Sequence, residues 1–158
     1  MKIGYTGLLN GIKKDSDQQK VERNRIKSFS LSYDLEKPLL YSYAKITIDG
    51  RSIATDRAIW DTGATITAIS RKISEQFDSD PNESGTSISA TDHSDSDIYL
   101  ATVELPGGII FRDVDVWDIG LPDYAADVII GMDIISQGKL IVETVNGVPT
   151  FSFSIEQI

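Results

Sequence analysis

Apolar and polar positions alternate with a period of two over much of the chain, the signature of half-buried β-strands. Phe29, Leu31 and Tyr33 alternate with serines, and the stretch from Tyr41 to Ile48 alternates again. Asp49-Gly50 then predicts a two-residue hairpin turn, with Arg51–Ile59 returning as the partner strand. Ile109–Trp117 alternates as well, after a turn at Pro106-Gly107-Gly108. Val128-Ile129-Ile130 is a short continuous apolar run and predicts a fully buried strand. Leu140–Val145 and Thr150–Ile155 flank Asn146-Gly147, the best hairpin signal in the chain. A third hairpin is expected from Ser87–Ala90 and Asp97–Val103, with its tip at 91–96.

Helical patterning is brief. Ile69, Ile73 and Phe77 recur every four residues, which predicts a helix from Arg71 to Phe77 with Ser70 as its N-cap. Asp133 is expected to cap a second helix, Ile134–Gln137, that ends at Gly138. Many short strands with one or two short helices mean an all-β barrel or sandwich. The first residues read differently. Met1–Tyr5 fits a short strand, and Gln18–Ile26 a helix with too few apolar residues for a good stripe. Residues 1–35 are therefore taken as an N-terminal appendage, flexible or regulatory, and residues 36–158 as the folded domain.

The 158 residues suggest one domain. No apolar stretch approaches the roughly 18 residues that span a bilayer, and the N-terminus lacks a signal pattern. The expectation is a cytoplasmic protein with no membrane partner. With no cysteine and a single histidine, His93, neither a disulfide framework nor a zinc site is expected, and no cofactor or metal is called for. The net charge of −9 is uneven. Residues 1–35 carry seven Lys/Arg against four Asp/Glu, and residues 36–158 carry eight against twenty. Such an acidic domain repels nucleic-acid phosphates and steers basic peptides toward itself.

The candidate chemistry sits at Asp61-Thr62-Gly63-Ala64, between the apolar runs Ala58-Ile59-Trp60 and Ile66-Thr67-Ala68-Ile69. A carboxylate on a tight turn between buried strands is costly to keep charged unless it is partnered. Together with Val128-Ile129-Ile130-Gly131-Met132-Asp133, and with the length between the two elements, this turn resembles that of the retropepsin-type aspartic proteases. The resemblance runs from about Tyr41 to Val145 and implies a closed retropepsin-like β-barrel acting as a homodimer. It implies an aspartic endopeptidase, a hydrolase in which Asp61 and its symmetry mate share a proton and activate a water. Two carboxylates about 3 Å apart supply both base and acid, because they cannot both ionise. The chain holds one Asp-Thr-Gly, so the second must come from a second copy.

By the same resemblance, Thr62 ties its turn to the partner turn, Gly63 lets the backbone reach the carboxylate, and Gly131 packs against the turn. Ala64 stands where two-lobed relatives more often carry a hydroxyl. The loss of that donor implies activity at mildly acidic to near-neutral pH. The flap is expected within 85–100, with Ser87, Ile88, Ser89 and Ala90 touching a peptide or protein substrate. Asp92, Asp95 and Asp97 near its tip read either as selectors of basic side chains or as a solvated hairpin. Trp60 and Trp117 are either core or pocket lining. Asp133 reads as a helix cap rather than a catalytic group. Two further readings stay open. One is a retropepsin-like module that binds peptides or dimerises with little turnover. The other is a protease held in check by its own basic N-terminal segment. The strand 150–155 is the expected joint between two copies.

Overall fold

Asp49 and Gly50 both take positive φ (48° and 77°), as do Asn146 and Gly147 (50° and 80°). Two successive left-handed residues match the twist of the flanking strands, so each pair closes a tight hairpin. The computed structural model describes residues 25–88, 93–121 and 125–157. Its strands are β1 Arg25–Ser32, β2 Tyr41–Ile48, β3 Arg51–Trp60, β4 Ala68–Ser70, β5 Glu83–Ile88, β6 His93–Leu105, β7 Ile109–Ile119, β8 Val128–Ile130, β9 Lys139–Val145 and β10 Val148–Gln157. Between them lie α1 Arg71–Ser74, a 3-10 turn at Pro106–Gly108, and α2 Met132–Ile135.

Six strands close on themselves in the order β2-β3-β8-β4-β7-β6, and β6 returns to β2 through Lys45↔Glu104, Ile46↔Val103 and Thr47↔Thr102. Closure removes the exposed edges that an open sheet would carry. β3–β8 and β4–β7 are the parallel pairs, and β5 hangs outside the ring on β6. The barrel is filled by inward positions such as Ala44, Ile46 and Ile48 of β2 and Val103 and Leu105 of β6. A three-stranded sheet, β1-β10-β9, packs against it. Phe29, Phe151 and Phe153 of that sheet surround Trp60, with ring centroids 5.6, 6.2 and 4.9 Å from it. The Trp60 indole is core, and its Nε1–H donates to Ser42 Oγ at 2.9 Å.

The structure departs from the sequence reading at several elements. Arg25 and Ile26 belong to β1, not to a helix over Gln18–Ile26, and residues 25–32 are an integral strand of the folded unit rather than appendage. Pairing with β10 along all eight residues supplies the partner that an isolated stretch lacks. Residues 1–24, with the expected strand Met1–Tyr5, lie outside the described residues. β10 cannot pair with its mate in a second copy, because β1 and β9 occupy both of its edges. His93–Ser96 extend β6 rather than forming the hairpin tip, and residues 89–92 lie outside the described residues. The helix after Ser70 is one turn, Arg71–Ser74, and the Ser70 hydroxyl makes no capping bond. Ile129 is half exposed, since only Val128 and Ile130 point into the core.

Candidate active site

Asp61 is the first residue beyond β3. Trp60 pairs with Ile130 of β8, and the Asp61 N–H continues that ladder by donating to the Ile130 carbonyl at 3.0 Å. The chain then turns back, with the Ala64 N–H donating to the Asp61 carbonyl at 3.2 Å. This leaves the Asp61 side chain exposed at the turn, and the Gly63 N–H donates to its Oδ1 at 2.8 Å. A Cβ on Gly63 would stand 3.1 Å from that oxygen, so glycine permits the close approach. Thr62 is exposed beside Asp61.

Beneath the turn lies a second loop, held by donors and acceptors from both sides. Met132 N–H donates to the Ala64 carbonyl at 2.8 Å and Asp133 N–H to the Thr65 carbonyl at 3.2 Å. Thr67 is fully buried and donates twice to Asp133, from N–H to Oδ2 at 2.9 Å and from Oγ1 to Oδ1 at 2.8 Å. Thr67 Oγ1 in turn accepts the Gly131 N–H at 3.2 Å. A Cβ on Gly131 would fall on the Ile66 carbonyl, so no side chain fits. Asp133 is not the N-cap: Gly131 holds that position, and Asp133 lies in the first turn of α2, accepting the Ile134 N–H at 3.0 Å. Thr67 was missed in the sequence. Its signal is a polar β-branched residue inside an otherwise apolar run.

A groove of about 880 Å³ opens beside the turn. Gly63, Ala64, Ile66 and Ala68 form one wall with Ile129, and Trp117, Ile119 and Leu121 another. Thr86 and Ser94–Ser96, in the turn-ward half of the β5–β6 pairing, complete it. Gly85 lets β5 lie against the Trp117 indole, since a Cβ there would strike the ring. Trp117 is thus pocket lining, unlike Trp60. Asp118 and Arg71 also reach this groove. Asp118 is 4% exposed, accepts Ser74 Oγ at 2.8 Å, and faces Arg71 Nε at 3.6 Å. Neither residue was singled out from sequence, where each looks like an ordinary surface charge.

Of the expected flap residues, Ser87 and Ile88 end β5, opposite Ser94 and His93. Ser89 and Ala90, like Asp92, lie outside the described residues. Asp95 lines the groove, while Asp97 lies in a separate cleft with Tyr99 and Asp78. Among the described residues, no group of three or more His, Asp or Glu is placed to hold a metal ion. No described helix is long and apolar enough to cross a membrane.

A closed six-stranded barrel with an Asp-Thr-Gly turn at the mouth of a groove defines a retropepsin-like aspartic protease fold. The solved retropepsin-like aspartic protease from Rickettsia conorii superposes with a TM-score of 0.56 over 85% of this chain and 96% of its own, at 12% identity. Simian foamy virus (mac) protease matches over 61% of this chain and 92% of its own, at 19% identity and a TM-score of 0.42. The retroviral protease-like domain of Ddi1 from Leishmania major matches over 75% and 94%, at 18% identity and a TM-score of 0.39. No curated protein matches the sequence. The chain belongs to the family described as "gag-polyprotein putative aspartyl protease", which matches residues 44–137.

Proposed function

We propose that two copies of this chain form an aspartic endopeptidase with no cofactor, hydrolysing peptide bonds through a water held between Asp61 and the partner's Asp61. The observation that carries this reading is the Asp61 carboxylate itself, exposed on the turn whose Gly63 and Ala64 line the groove, and fixed at 2.8 Å by the Gly63 N–H. One carboxylate takes a proton from the water as its oxygen attacks the substrate carbonyl carbon. The other gives its proton to the amide nitrogen as the C–N bond breaks. Thr62, exposed beside Asp61, ties each turn to its mate. Gly63, Ala64 and Gly131 shape the turn, and the substrate lies extended in the groove. Ser87, Ile88, Ser89 and Ala90 form the flap that covers it. Ala64 contributes no hydroxyl to the charged pair, so activity extends to mildly acidic and near-neutral pH.

The test is cleavage of a diverse peptide library by wild type and Asp61→Ala, from acid to neutral pH. Cleavage by wild type alone supports the proposal. Peptide binding without cleavage, unchanged in Asp61→Ala, refutes it and assigns the chain as a binding module. An optimum confined below about pH 3 refutes the role given to Ala64.

A further inference from the structure

Among the described residues, β9 has an edge without a strand partner, and that edge is complementary to itself. It pairs with β10 on one side, and no described strand pairs with it on the other. The sheet's opposite edge, on β1, is obstructed: the Pro106–Gly108 turn lies so close that a Cβ on Gly107 would fall on the Ser28 carbonyl. The apolar layer of the sheet also runs out uncovered at β9. Val142 stands opposite Phe151 on the same face, yet Phe151 is fully buried and Val142 is 53% exposed. Val145 and Val148 at the adjoining hairpin end are exposed as well. An edge of this kind invites another strand.

The sequence of β9 limits which strand fits. It reads Lys139-Leu140-Ile141-Val142-Glu143, with opposite charges four residues apart around three apolar residues. Both charges are exposed, and Lys139, Ile141 and Glu143 share one face of the strand. A second β9 laid antiparallel, with a two-fold axis at Ile141, sets Lys139 opposite the partner's Glu143 and Leu140 opposite the partner's Val142. An axis at Lys139 or Glu143 opposes like charges. An axis at Leu140 or Val142 sets the charges against apolar or neutral side chains. One register satisfies charge and hydrophobic pairing together.

We propose that β9 pairs with β9 of a second copy about Ile141, joining two three-stranded sheets into one of six strands. Resting on the protease reading above, this joint is the one that supplies the second Asp61. β9 follows α2 closely, and the first N–H groups of α2 are bonded to the Ala64 and Thr65 carbonyls beyond the Asp61 turn.

The experiment measures the dimer dissociation constant of the full chain by sedimentation, with peptide cleavage followed in parallel. The chains are wild type, Lys139→Glu, Glu143→Lys and the double substitution. Across β10 these positions face Ser154 and Thr150, so neither reversal meets a charge directly opposite it in its own sheet. Each single reversal turns two attractive cross-strand pairs repulsive and weakens the dimer roughly tenfold. The double restores wild-type affinity, and cleavage follows the dimer throughout. A wild type that stays monomeric, a dimer indifferent to the single reversals, or a double without rescue overturns the joint. Cleavage that ignores the reversals overturns it too and leaves the protease reading intact. A dimer that obeys the charge swap but cleaves nothing supports the joint and refutes the protease.

Discussion

The Asp133 carboxylate anchors the Asp61 turn from outside it, by accepting the Thr67 N–H, the Thr67 hydroxyl and the Ile134 N–H. Asp133→Ala strands these donors and should cost about 1–3 kcal/mol in urea denaturation. Thr67→Val should cost a similar amount, because the Gly131 N–H loses its acceptor as well. Gly131→Ala forces a methyl onto the Ile66 carbonyl, with an expected loss of about 1–3 kcal/mol and a displaced turn. Tyr99 links one residue to pH. Its phenol is raised above the ordinary 10.0, first by burial and then by the charges of Asp97 and Asp118, against the opposing pull of Arg71. The fold therefore favours the neutral phenol. That contribution is fully present below the unfolded value and is lost as pH rises through the raised one. As pH rises above about 10, wild-type stability should fall more steeply than that of Tyr99→Phe. Equal slopes would show that Tyr99 does not titrate with folding.

At the scale of elements, Ser70 shows where local chemistry misleads. It occupies the N-cap of α1, yet its Oγ is buried without a partner. Ser70→Ala should thus leave thermal stability unchanged or raised, where a working cap would lose about 1 kcal/mol. Elements set by neighbouring residues were legible in the sequence. Asp49-Gly50 and Asn146-Gly147 declared their turns, and the alternation of Tyr41–Ile48 declared β2 and the face that it buries. Asp61-Thr62-Gly63 was legible as a tight turn for the same reason, since its hydrogen bonds are local. What stayed hidden depends on distant partners. β1 begins at Arg25 because β10 is there to receive it, and Gln18–Ile26 gives no local sign of that. Asp133 looked like a cap because its second partner, Thr67, lies far away in sequence. Likewise, Trp117 could not be told from Trp60 until the strands showed which indole faces the groove. Removing residues 1–35 takes β1 away and uncovers Trp60, Phe151 and Phe153. That deletion should unfold the protein, seen as loss of its β circular dichroism spectrum.

For the whole molecule, charge is the broadest signal. Residues 36–158 carry twenty acidic against eight basic side chains, and Asp95 and Asp118 line the groove with Arg71. If the groove accepts peptides, those rich in Lys or Arg should arrive faster at low ionic strength. Their kcat/KM should fall as salt rises past about 0.1 M, where the screening length nears 10 Å, while a neutral peptide should show little change. Equal salt dependence would remove long-range charge from the account of substrate choice. The β1–β10 pairing has a consequence of another kind, for the order of events during synthesis. Arg25 lies opposite Gln157 and Ser32 opposite Thr150, so the earliest described strand waits for the latest one. On the ribosome, Phe29 and Leu31 stay without their partners until Phe151 and Phe153 have emerged. Contacts so far apart in sequence form slowly, and the sheet that covers Trp60 is assembled only after β10 has been synthesised.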